Sequence, residues 1–189
     1  MRFPKAFLSL LCMLVPALVM AAEPGSLQSL VARSASPKAA AATPAFDVTD
    51  LWYTKGEDGW GMSLTHHFNS PGQQMFGVWY TYDPRRPDLT TAEPNDLQPL
   101  WMIMTSGTWS TPTRYEGKFY VANGTFFAST WNAQSFALQE VGTFSLTFSD
   151  ASNGTFAYAI APPANLASSN PAFGLTAFSG SKVITRLAY

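Results

Sequence analysis

Apolar side chains recur at every second position through most of the chain after residue 45, and this period limits the possible folds more than any other feature. Successive side chains on a β-strand point to opposite faces, so a two-residue period predicts strands with one buried face. In the segment VGTFSLTFSD, Phe144, Leu146 and Phe148 alternate with serine and threonine. No window carries a convincing helical period. We therefore predict an all-β domain with this apolar row in the core.

Turn residues separate the alternating segments at short intervals. Asn153-Gly154 and Asn123-Gly124 each predict a type I′ hairpin turn, because this dipeptide readily adopts the positive φ angles required. Both also match the N-x-[ST] glycosylation pattern, and we favour the turn interpretation. About eight strands in this order predict an antiparallel up-and-down meander, as a barrel or a strongly coiled sheet. Residues 125–131, TFFASTW, are either a loop or an extra strand.

The first 21 residues have the pattern of a secretory signal peptide. Arg2 and Lys5 precede an apolar run from Ala6 to Met20, followed by the small residue Ala21. This run is shorter than the about 20 apolar residues of a membrane-spanning helix. The sequence therefore predicts export to the periplasm or the extracellular space. Residues 22–45 are rich in Ala, Ser and Pro and are predicted to be a linker, and residues 46–189 a single β domain.

Charge and cysteine content exclude several classes of function. Without Arg2 and Lys5, nine basic residues stand against twelve acidic ones, so the exported chain has a net charge near −3 and no basic patch for nucleic acid or anionic lipid. Cys12 lies within the signal peptide, so the exported chain has no thiol and no disulfide. Leu11 before it does not fit a lipoprotein signal. We predict no cofactor.

Several short motifs resemble those of a family of exported bacterial β domains, which often occur in tandem copies or appended to secreted enzymes. The motifs are Trp52-Tyr53 followed by Gly59-Trp60-Gly61, then WYTYD at residues 79–83, PLW at 99–101 and ITR at 184–186. The resemblance spans nearly all of residues 51–186. It implies an exported β fold and carries no activity with it. This chain departs from the pattern through an insertion at Pro84–Gln98 and through having one copy.

The stretch LWYTKGEDGWGMSLTHHF holds the only two histidines and an adjacent pair of carboxylates. Neighbouring residues of a strand point to opposite faces, so His66 and His67 cannot both ligate one metal without a bulge. We expect one exposed histidine, one packed at a strand end, and no metal site, since zinc needs three or four ligands. Glu57 and Asp58 are consecutive in a turn with glycines at positive φ, which does not suit the separated acids of a glycosidase. We predict that the protein is not an enzyme.

The six tryptophans and two long loops suggest where a ligand would bind. We assign four of the six rings to the core. Trp79 shares a face with Gly77 and Thr81, opposite the row of Phe76, Val78 and Tyr80, so we predict that it is exposed. In an eight-strand meander the GEDG turn, the Pro84–Gln98 loop and the loop from Pro162 emerge at one end. We hypothesise a recognition rim there, built from Asp58, Arg85, Arg86 and flanking aromatic side chains.

These features together predict an exported, non-catalytic binding module whose rim loops contact a glycan, a peptide or a cell-envelope component. Two alternatives stay open. In a small outer-membrane barrel the alternating side chains would face the opposite way, with Phe, Leu and Tyr toward lipid. The apolar segments are short, however, for membrane-spanning strands of about 9 to 11 residues. A secreted hydrolase would require acid, base or nucleophile signatures that the sequence does not show.

Overall fold

A computed structural model describes residues 41–85 and 98–188, which form a closed barrel of eight strands. Each strand pairs antiparallel with the next, and the last pairs with the first. This arrangement confirms the predicted up-and-down meander and selects the barrel. The strands are β1 (Asp50–Tyr53), β2 (Gly61–His66), β3 (Met75–Tyr82), β4 (Pro99–Thr111), β5 (Arg114–Asn123), β6 (Ala137–Phe148), β7 (Asn153–Ile160) and β8 (Phe178–Arg186).

The segment TFFASTW is not an extra strand. It belongs to the connection between β5 and β6, where the described regular structure is a short 3₁₀ helix at Ala133–Ser135. The side chain of Asn132 caps this helix by accepting a hydrogen bond from the Gln134 N–H at 3.0 Å. The strand count therefore stays at eight, and the β7–β8 connection emerges at the same end as the β1–β2 turn.

Aromatic side chains fill the interior of the barrel. Phe144, Leu146 and Phe148 of β6 all point inward and are buried, as the alternation predicts. Neighbouring rings lie at centroid separations of 5 to 6 Å, for example 5.2 Å between Phe119 and Phe144. The other large buried rings are Trp52, Trp79, Trp109, Tyr115 and Phe156. The barrel is thus a packed core rather than a hollow container.

The predicted facing of β3 is wrong. Trp79 points into the barrel and is 6% exposed, whereas Tyr80 is 40% exposed on the outer wall. Space explains the reversal: a Cβ on Gly77 would lie 2.8 Å from a methyl carbon of Leu64, so the small residues of β3 accommodate large neighbours inside. Trp101 of the neighbouring strand β4 is also on the outer wall and is 64% exposed.

Neither Asn-Gly dipeptide forms the predicted turn. Asn153 and Gly154 are the first two residues of β7, Asn123 ends β5, and none of these positions has a positive φ angle. The β6–β7 turn lies immediately before Asn153 in the chain. It is held by Asp150, whose carboxylate accepts a hydrogen bond from the Ser152 N–H at 2.7 Å. Gly154 serves close packing instead, because a Cβ there would lie 2.8 Å from the Thr147 carbonyl oxygen.

We call the end of the barrel that carries the β1–β2 turn the upper end, and the opposite end the lower end. The chain enters at the lower end, where Ala42 N–H donates to the Trp109 carbonyl at 3.0 Å and Ala45 N–H to Pro112 at 2.8 Å. The segment therefore lies against the barrel before β1 begins, and Val48 is buried in the core. The chain also leaves at this end, where Leu187 N–H donates to Leu51.

The connection between β7 and β8, residues 161–177, crosses the upper end. Ala172 and Leu175 are buried in the core cluster beneath it. Asn123 Nδ2 donates to the Ser169 carbonyl at 3.3 Å, and Arg85 Nη1 donates to that of Pro171 at 2.9 Å. The loop thus contacts the ends of β3 and β5 and closes part of the barrel mouth. Within the described residues, no helix is long and apolar enough to cross a membrane.

Candidate functional site

A pocket of about 250 Å³ opens at the upper end, in the part of the mouth bordered by the β1–β2 turn, the end of β3 and the facing ends of β7 and β8. Its two deepest lining residues, Trp79 and Phe156, form the base and meet edge to face at 5.2 Å. Partly exposed rings form the walls. The lining consists of six aromatic residues, Trp60, Trp79, Tyr82, Phe156, Tyr158 and Phe178, together with Glu57, Thr81, Pro84 and Lys182.

An ion pair between the β1–β2 turn and β8 borders the pocket. Lys182 Nζ donates to both carboxylate oxygens of Glu57, at 2.9 and 2.7 Å, and Trp60 Nε1 donates to the same carboxylate at 3.1 Å. These hydrogen bonds, that of Lys182 first, hold the pKa of Glu57 below its usual value. The pair is partly exposed, so solvent screens it. Both charges in the lining are therefore compensated by each other.

The turn that carries Glu57 is shaped by its glycines. Gly56 and Gly59 have φ angles of 84° and 93°, in the left-handed region that glycine adopts at little cost, as predicted. Glu57 N–H closes the turn by donating to the Thr54 carbonyl at 3.1 Å, and Thr54 Oγ1 donates to Val183 of β8 at 2.6 Å. The turn thereby leans toward β8, which brings Glu57 within reach of Lys182.

The Tyr158 ring owes its position to a missing side chain on β8. Gly180 is its cross-strand partner, and a Cβ on that glycine would lie 2.5 Å from the Tyr158 hydroxyl oxygen. The ring therefore lies over Gly180 and packs against Trp79, at 5.0 Å, and Phe178, at 6.0 Å. Because these contacts link wall to base, the pocket is a rigid feature of the barrel rather than a gap between loops.

Trp79 differs from the other buried tryptophans in its hydrogen bonding. Trp52 Nε1 donates to the Val48 carbonyl and Trp109 Nε1 to that of Gln73, both at 2.9 Å. Trp79 Nε1 is buried and has no hydrogen-bond partner among the described residues. A buried donor without an acceptor costs free energy. The Trp79 ring at the base of the pocket therefore carries an N–H that is shielded from solvent and has no acceptor among the described residues.

The predicted site residues lie in different places in the structure. Asp58 is exposed in the β1–β2 turn and is not part of the pocket lining. Arg85 lies at the same end, but its guanidinium is engaged with Asp83 and with the carbonyls of Pro171 and Phe173, which makes it a clamp on the 161–177 loop. Arg86 lies outside the described residues. Trp79, predicted as an exposed contact, is instead the base of the pocket.

Further aromatic side chains are exposed at the upper end and on the wall. Phe126, Phe127 and Trp131 lie in the β5–β6 connection and Phe173 in the β7–β8 connection, so all four belong to the upper end. Residues 124–136 and 161–177 contain no charged residue. On the outer wall, Tyr80 and Trp101 form an edge-to-face pair at 6.1 Å. Three of the six tryptophans are buried, and Trp60 packs partly buried against the core.

The two histidines lie at the lower end, on opposite faces as predicted. His66 is 5% exposed and packs on Trp109 at 5.1 Å, while His67 is exposed. Burial lowers the pKa of His66, and Asp47, 3.6 Å from Nδ1, opposes this only in part. Within residues 41–85 and 98–188, no group of three or more His, Cys, Asp or Glu side chains is arranged to hold a metal ion.

Sequence reasoning missed most of the pocket. Trp60, Phe156 and Tyr158 lie in segments recognised as strands, and the available signal was their place near the upper ends of β2 and β7 in a meander. The pairing of Glu57 with Lys182 spans 125 positions and follows only from closure of β1 on β8.

No protein-family model matches the chain, and no curated protein has a significantly similar sequence. The resemblance to exported bacterial β domains therefore stays a prediction.

Proposed function

We propose that the protein is an exported, non-catalytic binding module that takes one ring-bearing group of its ligand into the mouth pocket. One observation carries the proposal: six aromatic side chains, with Thr81 and the Glu57–Lys182 pair beside them, converge on a pocket of about 250 Å³ at the mouth of a filled barrel. Small-molecule sites are concave, mostly apolar, and carry a few polar groups that orient the ligand. This pocket has that composition.

The exposed rings of Phe126, Phe127, Trp131 and Phe173 extend this contact surface. They lie at the upper end on two uncharged loops, and Phe127 is fully exposed. Exposed aromatic side chains grouped at one end of a small protein are typical of an interaction surface. We therefore assign the pocket to one group of the ligand and the surrounding rings to the rest of it, whether glycan, peptide or cell-envelope component.

The geometry favours binding over the two alternatives. The lowered pKa of Glu57 does not suit a general acid, which needs a raised one, and Asp58 lies outside the pocket. The outer wall of β5 and β6 carries the ion pair between Lys118 and Glu140 at 2.7 Å, and the phenylalanine row of β6 points inward. Both facts argue against the inside-out facing that a lipid-exposed barrel would need.

The indole N–H signals of the six tryptophans test the proposal directly. The chain, purified after export with ¹⁵N-labelled tryptophan, would be titrated with methyl glycosides, phenol, indole and choline while the indole cross-peaks are followed by NMR. We expect at least one compound to move the Trp60 and Trp79 signals and to leave those of Trp52 and Trp109 in place, because only the first two residues line the pocket.

A matched pair of variants locates the site. Trp60→Ala with Tyr158→Ala removes two pocket walls and should abolish the response. Trp101→Ala with Tyr80→Ala removes two rings from the outer wall and should leave it unchanged. Loss of binding in the second pair, or no response of Trp60 and Trp79 to any compound, would contradict the proposal.

A further inference from the structure

The size of the pocket limits the ligand group to a single ring. Drug-sized molecules occupy pockets of roughly 300–1,000 Å³. The mouth pocket, at about 250 Å³, lies below that range. Its base is closed by Trp79 and Phe156, so a longer ligand must leave through the mouth rather than pass into the barrel. The pocket therefore accommodates an end group of a ligand.

The charges in the lining favour a neutral group. Glu57 and Lys182 are hydrogen-bonded to each other through both carboxylate oxygens, so neither charge needs a partner from the ligand. A charged ligand would lose hydration without gaining an uncompensated counter-charge. A quaternary ammonium suits aromatic cages in general, but here the carboxylate of Glu57 is already paired with Lys182, so a cation gains no free counter-charge. The ammonium of Lys182 is likewise paired, so an anion gains none either.

The polar groups favour a hydroxylated ring over a purely apolar one. Thr81 is partly exposed and lines the pocket beside the aromatic rings. The Glu57–Lys182 pair at the mouth presents charged hydrogen-bonding groups, which bind hydroxyls more strongly than neutral ones do. An aromatic or aliphatic hydrocarbon ring would satisfy none of these groups. The aromatic walls, in turn, suit a flat ring with apolar C–H faces.

From size, charge and polarity together we infer that the mouth pocket binds the neutral pyranose ring of a hexose, at the end of a longer glycan. This inference depends on the proposed binding function and narrows its ligand to one class. The C–H face of the sugar packs on the aromatic walls, while its hydroxyls contact Thr81 and the Glu57–Lys182 pair.

The same indole titration, now quantified, tests the inference. We expect at least one neutral methyl hexoside, among the glucosides, galactosides and mannosides, to shift the Trp60 and Trp79 signals with a Kd on the order of 1 mM, as a ligand of about a dozen heavy atoms allows. Glucuronate and glucosamine have the same ring as glucose and carry a charge. They should bind at least about tenfold more weakly, which corresponds to about 1.4 kcal/mol of binding free energy.

Two variants separate hydroxyl recognition from shape. Thr81→Val replaces a hydroxyl with a methyl group of similar size and should weaken hexoside binding several-fold while leaving any binding of phenol or indole unchanged. Thr81→Ser keeps the hydroxyl and should retain hexoside binding. If either variant unfolds the barrel, the charged sugars still decide the matter.

Three outcomes overturn the inference. Binding of phenol or indole without any hexoside would leave the binding function standing and remove the sugar. Equal or tighter binding of the charged sugars or of choline would do the same. A lack of response to every compound would refute both the sugar and the binding function.

Discussion

His66 and His67 show how far one position on a strand changes the chemistry of the same side chain. His66 lies among the rings of Trp109 and Phe68, whereas His67 is exposed. The alternation predicts that they face opposite ways, but it does not say which one is inside. The burial of His66 lowers its pKa, and this has a consequence for stability.

We expect His66 to destabilise the fold in acid. In the unfolded chain the imidazole takes up a proton near pH 6.5, while the buried ring in the folded protein resists it until lower pH. The unfolded state thus binds more protons, and stability falls as the pH drops below about 6.5. Denaturant unfolding at pH 7 and pH 5 should show a smaller loss for His66→Phe than for the unsubstituted chain.

His67→Gln is the matched control for that experiment, since it changes the neighbouring exposed imidazole. Its loss of stability between pH 7 and pH 5 should follow that of the unsubstituted chain closely, because the charge of His67 contributes less than burial to the lowered pKa of His66. An identical acid loss in His66→Phe would show that other groups cause it.

Trp79 marks the limit of prediction for single residues. Alternation correctly divides β3 into two rows, and hydrophobicity then favours Phe76, Val78 and Tyr80 for the core. The barrel instead buries the row with Gly77 and Trp79. The choice depends on how the Leu64 and Met104 side chains fill the space beside Gly77, and these come from other strands. Such packing cannot be read from β3 alone.

At the scale of elements, strands are more predictable than their connections. The alternating segments identified β2 through β8 because burial on one face repeats over six or more residues. Each Asn-Gly pair, by contrast, was assigned from two residues, and backbone contacts override such a local preference. Gly154 is used for its lack of a side chain next to the Thr147 carbonyl rather than for its φ angle.

Among the glycines of the strands, Gly142 at a bulge in β6 has the least room for a side chain. Phe119 pairs with Gly142 and Tyr120 with Glu140, which leaves Val141 as the extra residue. A Cβ on Gly142 would lie 2.1 Å from the Ala159 carbonyl oxygen of β7. Gly142→Ala should therefore force the two strands apart and lower the free energy of unfolding by about 3 kcal/mol or more. Urea unfolding measures this change.

Gly124→Ala is the matched control, because a Cβ there meets nothing closer than the Phe136 ring at 4.0 Å. It should change the free energy of unfolding by less than about 0.5 kcal/mol. If both glycine substitutions cost the same, the bulge is not the cause.

At the scale of the whole molecule, the barrel is covered at both ends by segments outside its strands. The alternation of side chains predicts the barrel wall and places three connections at one end. It does not show that the 161–177 loop crosses the mouth or that residues 41–49 lie against the lower end. These contacts join distant positions, such as Arg85 with Pro171 and Phe173, and depend on the closed barrel to bring them together.

Arg85→Ala should loosen the loop over the mouth without unfolding the barrel. The guanidinium links Asp83 to two carbonyls of that loop, and its loss leaves the loop with fewer contacts to β3. We expect several-fold faster amide hydrogen exchange at Phe173 and Leu175, with a change in global stability below about 1 kcal/mol.

Arg114→Ala provides the control for this change, because its ion pair with Glu116 lies on the wall near the lower end. Exchange in the 161–177 loop should not respond to it. Unaltered exchange in Arg85→Ala would mean that buried Ala172 and Leu175, with the Asn123–Ser169 hydrogen bond, are enough to hold the loop.

The chain reaches the barrel at Ala42 and leaves it at Leu187, and both residues lie at the lower end, opposite the pocket. A solid support or a second protein joined directly to either of these positions would therefore be separated from the aromatic opening by the length of the barrel.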